Sequence, residues 1–263
     1  MLDVALQYAQ VFLLILVRMS SFFFLTPFFG SRNVPASVKT GLAFLLTIIV
    51  TPTIAATETG ALYMGASFAD LVLVLVKEVM VGITLGLTAA MVFAAVQLGG
   101  MFIDLQIGFA MANVYDPMSG ASAPLTGQFK YALAFLLFLG LDGHHGLITA
   151  MMQSYQFVPI GAFQITDNLM SVLMETFSAM FLLGLKIAIP IVAVLFLVDF
   201  GFALLSKAVP QMNVFALGMS VKTIVGGLMI IVTMPALIYL LRGMFHTMFE
   251  QMDTVLRVLG GTP

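Results

Sequence analysis

The chain is expected to be an all-α integral membrane protein, because three features of its sequence agree. Of its 263 residues, 61% are hydrophobic and only 8% are charged, against roughly 25% charged in ordinary soluble domains. The apolar residues fall in about six long runs, each at or above the about 20 residues that a helix needs to cross a hydrocarbon layer ~30 Å thick. Ionised side chains nevertheless sit inside those runs: Glu78, Lys186 and, just inside the last one, Lys222. A charge at the centre of a lipid-facing helix costs about 2.5–3.5 kcal/mol even on the most lenient insertion scale. Each should therefore face protein or a water-filled path, as in a subunit of an assembly or the lining of a passage.

The first run, Val4 to Leu25, is preceded by Asp3 and contains Gln7 where a secretory signal would carry a basic region, so it is expected to stay in the mature protein. Pro27, Gly30 and Pro35, with Ser31 to Asn33 and Lys39, read as a tight hairpin into the second run, Val34 to Ala56. Thr51 to Ser67, rich in Thr, Gly and Ala with Pro52, reads as a loop. The third run, Phe68 to Ile103, and the fifth, Leu169 to Val198, exceed one span and must tilt, kink or extend beyond the bilayer. The fourth is Phe129 to Met152 and the sixth Val214 to Leu241.

Glu78, Gly82 and Gly86 lie at i, i+4 and i+8 on one stripe of the third helix. Their GxxxG spacing lets another backbone approach closely. Gly218, Lys222 and Gly226 repeat the layout with opposite sign in the sixth run, which suggests a Glu78–Lys222 ion pair. Two readings of Glu78, Lys186 and Lys222 stand side by side: polar groups buried in helix packing, or a proton or ion relay. Relays usually need several facing acids or histidines, and most of the candidates here are basic.

Between Gln106 and Gln128 the composition changes. Gln106, Gly108, Asn113, Asp116, Pro117, Ser119, Gly120, Ser122, Pro124 and Gly127 alternate with Ile107, Phe109, Met111, Tyr115 and Met118. This is expected to be a loop of about 20 residues, and loops of that length are commonly functional or disordered. It reads either as a movable obstruction or re-entrant loop in a pore, or as a surface loop. Asp142, His144 and His145 occupy a Gly-punctuated turn; adjacent histidines are expected to point apart, so turn chemistry is preferred to metal binding. Met244, Phe245, Met248, Phe249, Met252, Val255, Leu256 and Leu259 form one face of an amphipathic helix opposite His246, Glu250, Gln251, Asp253 and Arg257, expected at the membrane interface or on a partner. Twenty methionines suit a conformable seal as well as an ordinary core.

No phosphate-binding loop, zinc-protease motif or nucleophile elbow occurs, and neither catalysis, cofactor nor metal is expected. A net charge of −2 without a basic cluster argues against nucleic acid, and zero cysteines exclude disulfides. Arg32, Lys39, Lys130 and Lys207 in the first, third and fifth connections would put both termini outside the cytoplasm, with Arg242 and Arg257 arguing weakly the other way.

Several strings, taken in order, resemble one family: Arg18-Met19-Ser20-Ser21-Phe22 leading to Pro27-Phe28-Phe29-Gly30; Val34-Pro35 then Lys39; Glu78 with Gly82 and Gly86; Gly99-Gly100 then Asp104 to Phe109; Asp116-Pro117; Gly143-His144-His145; and Asp199-Phe200-Gly201-Phe202 leading into Pro210-Gln211-Met212-Asn213-Val214-Phe215. Over nearly the whole chain these resemble FliR, of the flagellar type III export gate, with Asp142 a departure where Gly or a small polar residue is more usual. The resemblance implies a non-enzymatic subunit of the bacterial inner membrane and flagellar basal body. Residues 1–190 would be FliP-like and 191–263 FliQ-like, with bent helical hairpins completing a helical FliP/FliQ/FliR assembly rather than a homo-oligomer. FlhA-like and FlhB-like components would be further partners, and unfolded export substrates the cargo. It implies a pore plug made by Gln106, Ile107, Gly108, Phe109, Met111, Tyr115, Asp116, Pro117, Met118 and Gly120. An autonomous secondary transporter using Glu78 and Lys186 is the alternative from another class, although no matching second half is visible. The equivalent injectisome subunit is the other.

Overall fold

The computed structural model describes residues 2–27, 29–30, 34–57, 68–109, 124–164, 167–211 and 213–261. Every regular element among them is an α-helix: α1 (Leu2–Leu25), α2 (Ala36–Thr57), α3 (Phe68–Ile107), α4 (Leu125–Gly140), α5 (Gly143–Phe157), α6 (Asp167–Ala208), α7 (Val214–Val232) and α8 (Met234–Leu259). By length and hydropathy α1, α2, α3 and α6 can each cross a membrane, and the broken pairs α4 with α5 and α7 with α8 bring the possible spans to six. The chain is an all-α integral membrane protein.

The ends of the apolar runs differ from the hydropathy reading in physically simple ways. Helix α2 runs through Pro52 to Thr57, so Thr51 to Thr57 is helix and not loop; Thr51 Oγ1 bonds back to the Thr47 carbonyl at 2.7 Å. Helix α6 likewise continues through Pro190 for 42 residues. The fourth run is two helices, because Asp142 adopts a left-handed φ of 56° between α4 and α5. The sixth breaks at Thr233, two residues before Pro235, which has no N–H to continue the hydrogen-bond ladder of α7.

The chain forms two compact units. The first holds residues 1–91, 142–176 and 247–263. In it Leu14, Ile15, Arg18, Met19 and Phe22 form the fully buried stripe of α1. Glu78, Val81, Leu85 and Ala89 repeat every three or four residues on α3 and are fully buried too. Gly82 and Gly86 lie where α3 meets α1: a Cβ on Gly82 would stand 2.5 Å from the Arg18 carbonyl oxygen, and one on Gly86 3.1 Å from that of Phe22. Helices α1 and α2 are antiparallel, with Phe12 edge-on to Phe44 at 5.5 Å and the Lys39 ammonium 5.9 Å from the Phe24 ring centroid. The C-terminal part of α8 lies alongside α5 in the same direction, since Gly146 meets Phe249 and Gly260 meets the Phe157 carbonyl. The apolar face of α8, expected at an interface or partner, is thus covered by the chain itself; Met248, Met252 and Val255 are fully buried.

The second unit holds residues 92–141 and 177–246. Here the C-terminal half of α3 runs parallel to α6, with Gly99 against Gly184 and Ile187. Ile103 and Ile107 form a core with Ala188, Ile191 and Leu195. Helix α4 runs antiparallel to α3: Phe138 packs edge-on to Phe93 at 5.4 Å, and Gly100 meets Gly127 backbone to backbone. The outer faces of α6 and α7 stay apolar and exposed, as at Phe196, Leu197, Ile224 and Ile231, which suits lipid or neighbouring protein.

Gly100→Ala drives a methyl group into the backbone of Gly127, whereas Gly140→Ala enters open space. Overpacking costs about 1–3 kcal/mol, so thermal unfolding in detergent should show Gly100→Ala lowering Tm by roughly 5 °C and Gly140→Ala leaving it unchanged or slightly raised.

Candidate functional site

The expected plug begins on described structure. Gln106 and Ile107 close α3, and Gly108 ends it with a φ of 103°, a conformation a side chain would strain. The Gly108 N–H bonds the Asp104 carbonyl at 3.0 Å. Ile107 sits in the α3–α6 core and Phe109 packs against it. Met111, Tyr115, Asp116, Pro117, Met118 and Gly120 lie outside the described residues.

Polar clamps stand on both sides of that stretch. On the exit side Pro124 occupies the N-cap of α4 without a side-chain hydrogen bond. The missing cap comes from α3: the buried Asp104 carboxylate accepts from Thr126 N at 3.0 and 3.2 Å and from Thr126 Oγ1. A carboxylate at a helix N-terminus also meets the positive end of the helix dipole. On the entry side Gln106 Nε2 donates to Asp199 Oδ2 at 2.8 Å, and Lys222 Nζ donates to the same oxygen at 3.0 Å. One carboxylate on α6 thereby ties α3 to α7. The chain leaves and re-enters regular structure at points fixed by two aspartates.

Glu78, in the first unit, is fully buried and pairs with Arg18, Nε to Oε2 at 2.5 Å. The expected Glu78–Lys222 pair is therefore corrected: Glu78 belongs to Arg18 and Lys222 to Asp199. Matched stripes show which faces are polar, while the partner is set by distance in three dimensions. Arg18 Nη1 also donates to the Val158 carbonyl at 3.0 Å and the Ser154 carbonyl at 3.3 Å, and its guanidinium lies 4.3 Å from the Tyr155 ring centroid. The other Glu78 oxygen accepts from Gly161 N at 2.8 Å. Gly161 has a φ of 78°, and its carbonyl accepts from Lys77 Nζ at 3.1 Å. This network joins α1, α3 and the turn after α5, and places Glu78 in a closed ion pair rather than on an aqueous path.

Gly82 and Gly86 lie against α1 as described. Lys186, expected to be buried in helix packing, is exposed within this chain, on a face of α6 where Leu182 and Ile189 are exposed too. Pro210 and Gln211 form the exposed turn between α6 and α7, Met212 lies outside the described residues, and Asn213 Oδ1 caps α7 by accepting from Ala216 N at 3.3 Å. Phe215 falls in the first turn of α7. His144 and His145 do not point apart: their rings lie 4.3 Å from each other. With Asp142 they bring three potential ligand atoms within 4.8 Å of one another.

Arg18, Asp104 and Asp199 are the residues that sequence reasoning missed as charge partners. Arg18 was detectable by the criterion that singled out Glu78, an ionised group deep in an apolar run. Asp104 and Asp199 stand at the ends of their runs, where a charge is unremarkable without knowledge of what lies opposite.

A family model described as bacterial export proteins, family 1, matches residues 9–248. Flagellar biosynthetic protein FliR of Bacillus subtilis (strain 168) is 39% identical over 255 residues, 95% of each chain. That of Escherichia coli (strain K12) is 30% identical over 244 residues, covering 93% of this chain and 92% of the relative. Yop proteins translocation protein T of Yersinia pestis is 26% identical over 197 residues, 74% of each.

Removing one member of a buried ion pair strands the other, at about 3–5 kcal/mol. Arg18→Met and Glu78→Met should each lower the detergent-phase Tm by on the order of 10 °C, and the double variant should recover more than half of the loss. Additive losses would show that the two groups are not coupled.

Proposed function

Since the chain belongs to the FliR family of bacterial export proteins, we propose that it is a non-enzymatic subunit of the flagellar type III export gate in the bacterial inner membrane. There it completes a helical channel with FliP-like and FliQ-like subunits, alongside FlhA-like and FlhB-like components. Unfolded flagellar proteins are the cargo, and residues 106–120 plug the closed pore.

The observation that carries the plug is the pair of clamps. A segment that must block a passage and later yield needs rigid attachment at both ends and freedom between them. Asp104 with Thr126, and Asp199 with Gln106 and Lys222, supply the attachment. Ile107, buried in the α3–α6 core, and Phe109, packed against that core, anchor its start. The exposed apolar faces of α6 and α7 support a subunit with protein neighbours. A flagellar role is favoured over an injectisome one because the Bacillus and Escherichia flagellar relatives are more similar over more of the chain than the Yersinia translocation protein. The pairing of Glu78 with Arg18 takes from the autonomous-transporter reading its principal acidic group.

Deleting residues 108–120 should leave the subunit assembled, as read by native mass spectrometry of the complex, while cells become permeable to small ions and solutes. An assembled gate carrying the deletion with no added leak would overturn the plug assignment.

A further inference from the structure

In the second unit, α4, α6 and α8 enclose a cavity of about 50 Å³ lined by Lys130, Lys186, Pro190, Thr233, Leu237 and Leu240. A single water needs roughly 10–15 Å³ of such space, so a group of a few heavy atoms fits. Lys130 is only 2% exposed and makes no hydrogen bond among the described residues. The anion acting on it is Asp104, whose two oxygens already accept three hydrogen bonds from Thr126. Lys186, exposed on its outer side, is a second lysine lining the same cavity. Asp104 balances the buried Lys130 and leaves Lys186 without a counter-charge on an exposed apolar face, where an uncompensated cation is strongly disfavoured once lipid or protein covers it.

We propose that this cavity receives the carboxylate of an Asp or Glu side chain carried on an apolar helix of a neighbouring, different subunit. The proposal rests on the export-gate reading above. Charge complementarity selects an anion, and the surroundings select its source. Leu182, Ile189 and Phe196 flank Lys186 on α6 and are all exposed, a surface that accepts another apolar helix but not a hydrated lipid headgroup. The site makes Lys186, a cation that the isolated chain leaves exposed on an apolar face with no counter-charge of its own, into a condition for assembly: it is satisfied only when the right neighbour docks.

The test uses the complex co-expressed with its candidate FliP-like and FliQ-like neighbours. A membrane-permeant carbodiimide joins a lysine amine to a carboxylate only where the two touch. The expected product is an amide between Lys186 or Lys130 and one acidic residue of another subunit, identified by peptide mass spectrometry. In parallel, Lys186→Glu should lower the fraction of chain in the complex at least tenfold, and reversing that one acidic residue to Lys should restore it. An assembled wild-type complex with no such cross-link overturns the proposal. So does one in which Lys186→Met removes a bound phospholipid without altering subunit content, since the anion is then a headgroup. A wild-type chain that ignores its neighbours altogether overturns the export-gate reading instead.

Discussion

The physical constraint on which the structure turns is that an ionised group inside an apolar helical body must find its counter-charge and hydrogen bonds in protein. Arg18 and Glu78 meet it across three chain segments, with Arg18 Nη2 alone of their polar atoms left without a hydrogen-bond partner among the described residues. Both are fully buried, the guanidinium reaches the carboxylate and two backbone carbonyls, and the second carboxylate oxygen takes an amide from Gly161. Such a network holds α1, α3 and the turn after α5 in one register, because no small shift keeps every bond. It also explains Gly82, one turn beyond Glu78. Without a side chain there, the α1 backbone comes close enough for the arginine to sit beside the acid.

The same rule organises the second unit around the segment proposed to act in the pore. Asp104 substitutes for the cap that Pro124 cannot provide, and Asp199 gathers Gln106 and Lys222. Each aspartate uses its charge to tie helices distant in sequence, which fixes the residues on either side of 110–123. At the Lys130–Lys186 cavity the rule is not met within the chain, and that excess of positive charge gives an otherwise greasy surface chemical specificity for one neighbour over another.

Much of the architecture is legible in the sequence because hydropathy and helix length are one-dimensional. The third run starts at Phe68 and the helix does too; the second run matches α2 closely, while the fifth lies inside α6, which continues from Val198 to Ala208. The departures occur where backbone geometry decides. Asp142 bends the fourth run through a left-handed φ that no hydropathy scale detects, and Pro235 ends α7 early. Pro52, placed in a loop by its neighbours, and Pro190 are accommodated in continuous helices. Of the candidate site, Gln106 to Phe109 and the glycine positions were visible from spacing, whereas Asp104 and Asp199 were not, since a carboxylate at a helix end acquires meaning only from what faces it.

The sequence by itself determined that this is an all-helical membrane protein and, through an ordered set of short strings, the FliR family. These follow from composition, periodicity and order along the chain, all local properties. Tertiary structure alone decided the pairings: Glu78 with Arg18 rather than Lys222, Lys222 with Asp199, and Asp104 with the start of α4. Coulombic and hydrogen-bond energies fall off over a few ångströms, and which groups come within that range depends on how the helices pack.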